Sequence, residues 1–346
     1  MKVSLILGIN GQDGSLLAKE ILESGGSVWG GFRRGSETGS SLQTWRLDEL
    51  GIRDDVNLLP FDLNDYISIQ KIIEESKPNQ IINLAGNSYV ADSFYHPHST
   101  LETNFIGTLN LLESIKSTKK DIKVFLANSS EIFDSRNNKP KNEKSILSPL
   151  NPYGLSQLSS LHLSRIYRNT YGMNIYTGIF FNHESQYRSR SFVARKISYN
   201  LARLKLFGGD PFRIGNLDSK RDWGNAEDFV KGIKLVLEKS APDEFVFSTG
   251  KLIKLREILK VAAIYSGFQP KFEGSDFEEK CLDVKSGKIL AVVDSSYFRK
   301  VDTPGMIGDS SYLKKKLGWK GSRDGKETIK KMVKKDIERM KLKNSS

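Results

Sequence analysis

Short runs of β-branched and leucine residues recur along the first half of the chain, each followed by apolar residues at helical spacing. Val3–Leu7 is the first such run, closed by Gly8, and suits a strand buried on both faces. Ser15–Ser24 follows, with Leu16, Leu17, Ile21 and Leu22 on one helical face. Val28–Phe32, Val56–Phe61, Gln80–Leu84, Lys123–Ala127 and Asn174–Phe180 read as further strands. Helical patterns over Tyr66–Glu75, His98–Ser117 and Tyr153–Tyr171 lie between them. This alternation predicts an α/β fold with a doubly wound parallel sheet. Beyond Phe181 the pattern loosens into helices at Phe192–Leu204 and Leu255–Ser266, separated by loops and short strands. Asp134–Ser148, with its lysine and asparagine excess, reads as an exposed loop. Arg34–Arg46, rich in serine, glycine and threonine, reads as an insert too polar to pack in its own core.

Composition adds limits. The chain has 346 residues and a formal net charge of +12. Many of the lysines fall between Lys314 and Lys343, a stretch that reads as an exposed helix with a frayed end. No nucleic acid partner is expected from it, whereas anionic small ligands need cationic sites. No run approaches the roughly 18 apolar residues of a membrane span, and the N-terminal apolar run is too short for a signal peptide. The single cysteine, Cys281, excludes an internal disulfide and a cysteine-based metal cluster, and a cytoplasmic location is the expectation. The 4 histidines are scattered, and no metal site is indicated.

Gly8-Ile9-Asn10-Gly11-Gln12-Asp13-Gly14 stands between the first strand and the first helix. Gly8 permits a tight turn, Gly11 lets a pyrophosphate approach the backbone, and Gly14 allows close helix packing. The helix N-terminus then stabilises the negative charge. The first domain is therefore expected to be a Rossmann dinucleotide-binding domain over residues 1–181, with returns near 216–238 and 289–300. Residues 182–346 are expected to form mainly a smaller α/β substrate-binding domain. Phe32-Arg33-Arg34-Gly35-Ser36 ends the second strand where an NAD enzyme usually has an acid. Arg33 and Arg34 suit a 2′-phosphate, so NADP is the expected cofactor. Asp62, with Leu63, is placed to touch the adenine. Leu84 and Ala85 offer small or apolar surface where the cofactor backbone passes.

Ala127-Asn128-Ser129-Ser130-Glu131 closes a strand, and Asn151-Pro152-Tyr153-Gly154 opens a helix shortly after. A hydroxyl, a carboxylate and a phenol thus gather at the carboxyl edge of the sheet, where ligands bind in such folds. Here the chain resembles the GDP-mannose 4,6-dehydratase family of extended short-chain dehydrogenases/reductases. The resemblance runs over almost the whole length. Its distinctive stretches are Gly8–Ser15, Phe180–Ser185, Phe192–Ile197 and Gly215–Gly224. It implies oxidation of the sugar at carbon 4 by hydride transfer to NADP, loss of a proton from carbon 5 and of water from carbon 6, and return of the hydride to carbon 6. In that scheme Tyr153 takes the proton of the carbon-4 hydroxyl, Ser129 hydrogen-bonds the same hydroxyl, and Glu131 is the base for carbon 5. Asn182, Glu184, Val193, Lys196, Arg221 and Arg299 match stretches that hold the GDP-sugar. His183 and Trp223 read as core packing. The resemblance also implies a homotetramer or homodimer, the tetramer first.

The chain departs from the family in places. The fourth residue after Tyr153 is Gln157, where the family reads YxxxK, and no lysine occurs between Lys144 and Lys196. Gln157 can hydrogen-bond the nicotinamide ribose but carries no charge to lower the tyrosine pKa. Gln186–Arg190 replaces a proline-arginine-arginine-glycine stretch, Tyr89 stands where the family has histidine, and Asp302 lies near the usual glutamate. The leading expectation is a GDP-sugar 4,6-dehydratase acting on GDP-mannose. The alternatives are another carbon-4-oxidising enzyme such as a GDP-sugar epimerase, and a nucleotide-sugar binding protein impaired by Gln157.

Overall fold

The all-buried sequences Gln80–Asn83, Ile175–Phe180 and Glu244–Phe247 are what a parallel sheet covered on both faces requires. The computed structural model describes residues 2–33, 40–118, 120–137, 139–298, 305–321 and 324–344. The first half of the chain runs β1 (Val3–Leu7), α1 (Gln12–Glu23), β2 (Ser27–Phe32), α2 (Ser40–Leu50), β3 (Val56–Pro60), α3 (Tyr66–Ser76), β4 (Gln80–Asn83), α4 (Pro97–Leu101), α5 (Gly107–Ser117), β5 (Lys123–Ser129), α6 (Pro152–Tyr171) and β6 (Ile175–Phe180). It continues β7 (Asn182–Glu184), α7 (Val193–Phe207), β8 (Phe212–Ile214), β9 (Lys220–Asn225), α8 (Ala226–Lys239), β10 (Glu244–Phe247), β11 (Leu252–Lys254), α9 (Leu255–Tyr265), β12 (Pro270–Glu273), β13 (Lys280–Asp283), β14 (Ile289–Val293), α10 (Ser311–Leu317) and α11 (Gly325–Asn344).

The central sheet has seven strands in the order β10-β6-β5-β4-β1-β2-β3, all paired in parallel. The strand order reverses between β1 and β4, and the crevice beyond their carboxyl ends is the expected ligand position. α8 packs on α1, and β10 adds to the sheet beside β6. A three-stranded sheet, β11-β9-β7, and a four-stranded sheet, β12-β13-β14-β8, stand apart from it. They share a core with α7, α9 and α11 in which Ile197, Leu201, Leu259, Ile329 and Met332 are fully buried.

Three expectations change. The Arg34–Arg46 insert is not wholly loop, because its end belongs to α2, whose Leu47 is fully buried against the α1 side of the core. The single helix expected at His98–Ser117 is α4 and α5 joined by a π-helical turn, Glu102–Ile106. The Asp134–Ser148 loop is anchored: Lys141 is buried and bridges to Gly308, and Phe133 pairs with Leu147.

Candidate active site

β1 ends in a turn whose Gly8 has φ +85, and a side chain there would meet the Ala85 backbone at 2.8 Å. α1 begins at Gln12 with Gly11 as its N-cap and no side-chain cap, so its first amide groups remain free for an anion. Gly8, Gly11, Gln12, Asp13 and Gly14 line one end of a cleft of about 410 Å³, together with Leu84 and Ala85 after β4. This free helix start, backed by a turn that only glycine can form, fits a dinucleotide's pyrophosphate. Asp13 and Gln12 also brace the site. His183 Nε2 lies 2.9 Å from Asp13 Oδ2, and its Nδ1 lies 2.8 Å from the Phe181 carbonyl. Burial opposes both charges. The opposite charge and the hydrogen bond outweigh it, holding the Asp13 carboxyl below its usual range and the His183 imidazole above its own.

The catalytic end is built by β5 and α6. Asn151 caps α6, its side chain accepting from the Gly154 amide at 2.7 Å, and Pro152 occupies the first turn. A side chain at Gly154 would sit 2.4 Å from the Glu131 carbonyl. Glycine therefore lets the start of α6 press against the turn after β5, which brings Tyr153 beside Ser129 and Glu131. The Ser129 hydroxyl faces the Tyr153 phenol and eases its ionisation. Asn151 Nδ2 donates to Glu131 Oε2 at 2.8 Å, and the Glu131 amide donates to Ser129 Oγ at 3.2 Å. Burial pushes the Tyr153 phenol up to about 12, with Glu131 adding to the rise and Ser129 and Arg188 opposing it. Gln157, one turn further along α6, is buried and lines the same cleft. Asn128 Nδ2 holds its backbone carbonyl at 2.7 Å.

The far end is lined by β7, β9 and the start of α7. Asn182, Glu184, Val193, Lys196 and Arg221 all face the cleft. α7 is capped by Phe192 with no side-chain hydrogen bond, a second open helix start. Lys196 Nζ stands 3.5 Å over the Tyr297 ring. Glu184 is buried, with Oε2 at 3.4 Å from Arg188 Nε. Burial raises its carboxyl above the usual range despite the charges of Arg188 and His183.

The structure thus gathers Ser129, Glu131, Tyr153 and Gln157 with the glycine turn and the five substrate-side residues in one cleft. Asn10, Arg33, Asp62 and Leu63 are outside its lining. Asp62 instead caps a local turn through the Asn64 amide at 2.9 Å, and Arg33 is exposed after β2. Arg34 and Arg299 lie outside the described residues. Arg188, Tyr89, Phe192 and Tyr297 line the cleft without having been singled out as site residues. Arg188 and Tyr89 fall where the chain departs from its resemblance, which was the available signal. His183 packs as expected, 4.5 Å from the Phe229 ring, but it also pairs with Asp13.

A doubly wound sheet with a serine, a tyrosine and a glycine turn on one cleft defines the extended short-chain dehydrogenase/reductase class. The chain belongs to the GDP-mannose 4,6 dehydratase family, whose model matches residues 5–332. It is 36% identical over 344 residues to the GDP-mannose 4,6 dehydratase of Cricetulus griseus, covering 98% of this chain and 92% of that one. It is 35% identical over 359 residues to the enzyme of the same name from Yersinia enterocolitica, covering 99% and 95%. Among solved structures, UDP-glucose 4-epimerase from Thermotoga maritima superposes with a TM-score of 0.80 at 20% identity, covering 98% and 99% of the two chains. dTDP-glucose 4,6-dehydratase from Bacillus anthracis gives 0.78 at 17% identity, covering 99% and 98%. At those identities the likeness is one of fold.

Proposed function

We propose that this chain is a GDP-sugar 4,6-dehydratase that converts GDP-mannose to GDP-4-keto-6-deoxymannose with NADP. The observation that carries this reading is Glu131, held by Asn151 beside the Ser129–Tyr153 pair in a chain of this family. An epimerase that only oxidises and reduces carbon 4 has no use for that carboxylate.

A bound nicotinamide would supply a reversible hydride acceptor to this site. Tyr153 accepts the proton of the carbon-4 hydroxyl, and Ser129 hydrogen-bonds that oxygen and orients it. The resulting ketone makes the carbon-5 proton acidic. Glu131 removes it and relays a proton to the hydroxyl that leaves carbon 6. Gln157 binds the nicotinamide ribose. The start of α7 with Lys196 and Arg221 holds the diphosphate, and Asn182, Glu184, Val193 and Arg299 complete the substrate contacts. Arg33 and Arg34 bind the 2′-phosphate, which favours NADP over NAD. Replacing both with alanine should weaken NADP binding and leave NAD binding nearly unchanged. Equal affinity of the unmodified protein for the two would sink that preference. The assembly is a homo-oligomer.

The deciding experiment is mass spectrometry of the nucleotide-sugar after incubation with NADP and GDP-mannose. The dehydratase yields a product lighter by one water. An isomer of unchanged mass would assign an epimerase instead.

A further inference from the structure

Arg46 is an anomaly among the partly buried cations. It projects from α2 into the space between two turns, and no carboxylate of the described residues lies within ion-pair distance of it. Its Nη1 donates to the Asn10 carbonyl at 2.7 Å and its Nε to the Tyr187 carbonyl at 2.6 Å. Asn10 belongs to the glycine turn before α1. Tyr187 belongs to the turn after β7 that carries Arg188 into the cleft. One guanidinium therefore fastens the two turns from behind. Gln12 fastens them from the cleft side, its Oε1 accepting from Ser185 Oγ at 2.8 Å and its Nε2 donating to the His183 carbonyl at 3.2 Å.

The surroundings of Arg46 keep its charge uncompensated. Trp45 lies under it at 4.5 Å and stacks toward Tyr187 at 6.1 Å. Arg339 of α11 covers the other side, 5.0 Å from the Trp45 ring, and donates to the Gln186 carbonyl at 2.7 Å. Arg339 spends its charge on Glu49, at 2.7 and 2.9 Å, and Arg195 of α7 pairs with Asp336. Among these arginines Arg46 is held by carbonyls with no carboxylate of the described residues beside them. Burial and the nearby Arg195, Arg339 and Arg188 bring its pKa down to about 10, and Asp13 is the acid that opposes them. Arg46 is partly buried and stands behind the cleft, outside its lining, so its hydrogen bonds act on the two turns. A rigid fork bridging two acceptors also suits arginine and not lysine.

We propose that Arg46 is a positioning residue shared by the two ligands: it fixes the cofactor turn at Asn10 and the substrate-side turn at Tyr187, so that dinucleotide and nucleotide-sugar bind cooperatively. This rests on the dehydratase reading, in which the cleft takes both ligands at once. Order imposed on one turn by its ligand is then transmitted to the other through a single side chain, and the coupling is reciprocal.

The test uses the intact protein with NADPH and GDP as probes. NADPH affinity is measured by calorimetry with and without saturating GDP, in the unmodified protein, in Arg46→Met and in Arg46→Lys. In the unmodified protein we expect GDP to tighten NADPH binding about fivefold or more. In Arg46→Met that ratio falls toward one. In Arg46→Lys, which keeps the charge but cannot span both carbonyls, the ratio also falls. A lysine variant that folds therefore decides the matter even where the methionine variant does not. A ratio unchanged in either folded variant, or no coupling in the unmodified protein, overturns the proposal. Failure of the unmodified protein to bind NADPH or GDP at all overturns the dehydratase reading instead.

Discussion

At the scale of single residues, the site turns on the charge that Gln157 lacks. A proton acceptor works best with a pKa near the working pH, and burial moves the Tyr153 phenol to about 12. Arg188 opposes that rise but does not overcome it. The reactive phenolate is therefore scarce at neutral pH. We expect turnover to be slow there and to climb through pH ~10 without a plateau. Gln157→Lys places an ammonium one helical turn from the phenol and should raise neutral turnover about tenfold or more, since a single pKa unit is a factor of ten. A flat pH profile near neutrality together with no gain from the lysine would show that another group supplies the charge. Glu131→Gln keeps the shape and the contact with Asn151 but removes the base. Carbon-4 oxidation should survive and leave reduced cofactor on the enzyme, visible by its near-ultraviolet absorbance, while loss of water stops. Unchanged product formation would remove Glu131 from the mechanism. Ser129, Glu131 and Tyr153 were legible because a strand end and a helix start follow each other closely. The reason they meet was not legible: Gly154 looks like any helical glycine until the Glu131 carbonyl is seen against it.

At the scale of elements, periodicity reports faces and misses insertions. The π-helical turn between α4 and α5 contains neither proline nor glycine, so His98–Ser117 reads as one helix. The turn nevertheless has a use. Asn104 within it is buried, donates to Ser156 Oγ of α6 and to the Asn87 carbonyl at 3.0 Å each, and accepts from the Asn87 amide at 2.8 Å. It thereby fixes the loop after β4 to the helix that carries Tyr153. The Asp13–His183 pair ties α1 to β7 in a similar way, and its contribution depends on pH. His183 is raised above 6.5 by Asp13, so its share of stability is full below ~6.5 and is lost as pH rises through the raised value. Asp13 is lowered below 3.8, so its share is present above ~3.8 and is lost as pH falls through the lowered value. The pair contributes most between those two values. We expect Asp13→Asn to cost about 2 kcal/mol in that window by urea unfolding, as for a charge-assisted hydrogen bond. In that variant the Asp13 carboxylate no longer opposes burial, and the His183 resonance in NMR should titrate lower than in the unmodified protein. A His183 titration unmoved by Asp13→Asn would refute the pairing.

At the scale of the whole molecule, the alternation of strands and helices gave the doubly wound sheet, but it could not show β10 joining its edge. Glu244–Phe247 is too short a run to be told from the small sheets around it. The remaining whole-molecule question is assembly, which the family resemblance implies and which the surface bears on. Along α6, Leu155 and Ile166 are 48% and 51% exposed, with Ser159 and His162 between them on the same outward face. Ile106, at the end of the π-helical turn before α5, is 41% exposed. No helix among the described residues is long and apolar enough to cross a membrane, so a bilayer-spanning role does not account for this stripe. Burying it against the same stripe of a second copy gives a self-complementary interface of the twofold kind. Such a contact would also stiffen the helix that sets Tyr153 and Gln157. With a chain of 39.0 kDa, light scattering at micromolar concentration should give a mass of at least two chains. The double substitution Leu155→Glu with Ile166→Glu sets like charges face to face across the axis and should release monomers, with turnover falling as they form. A monomeric mass for the unmodified protein would refute assembly altogether. An oligomer that survives the double substitution would place the interface on another face.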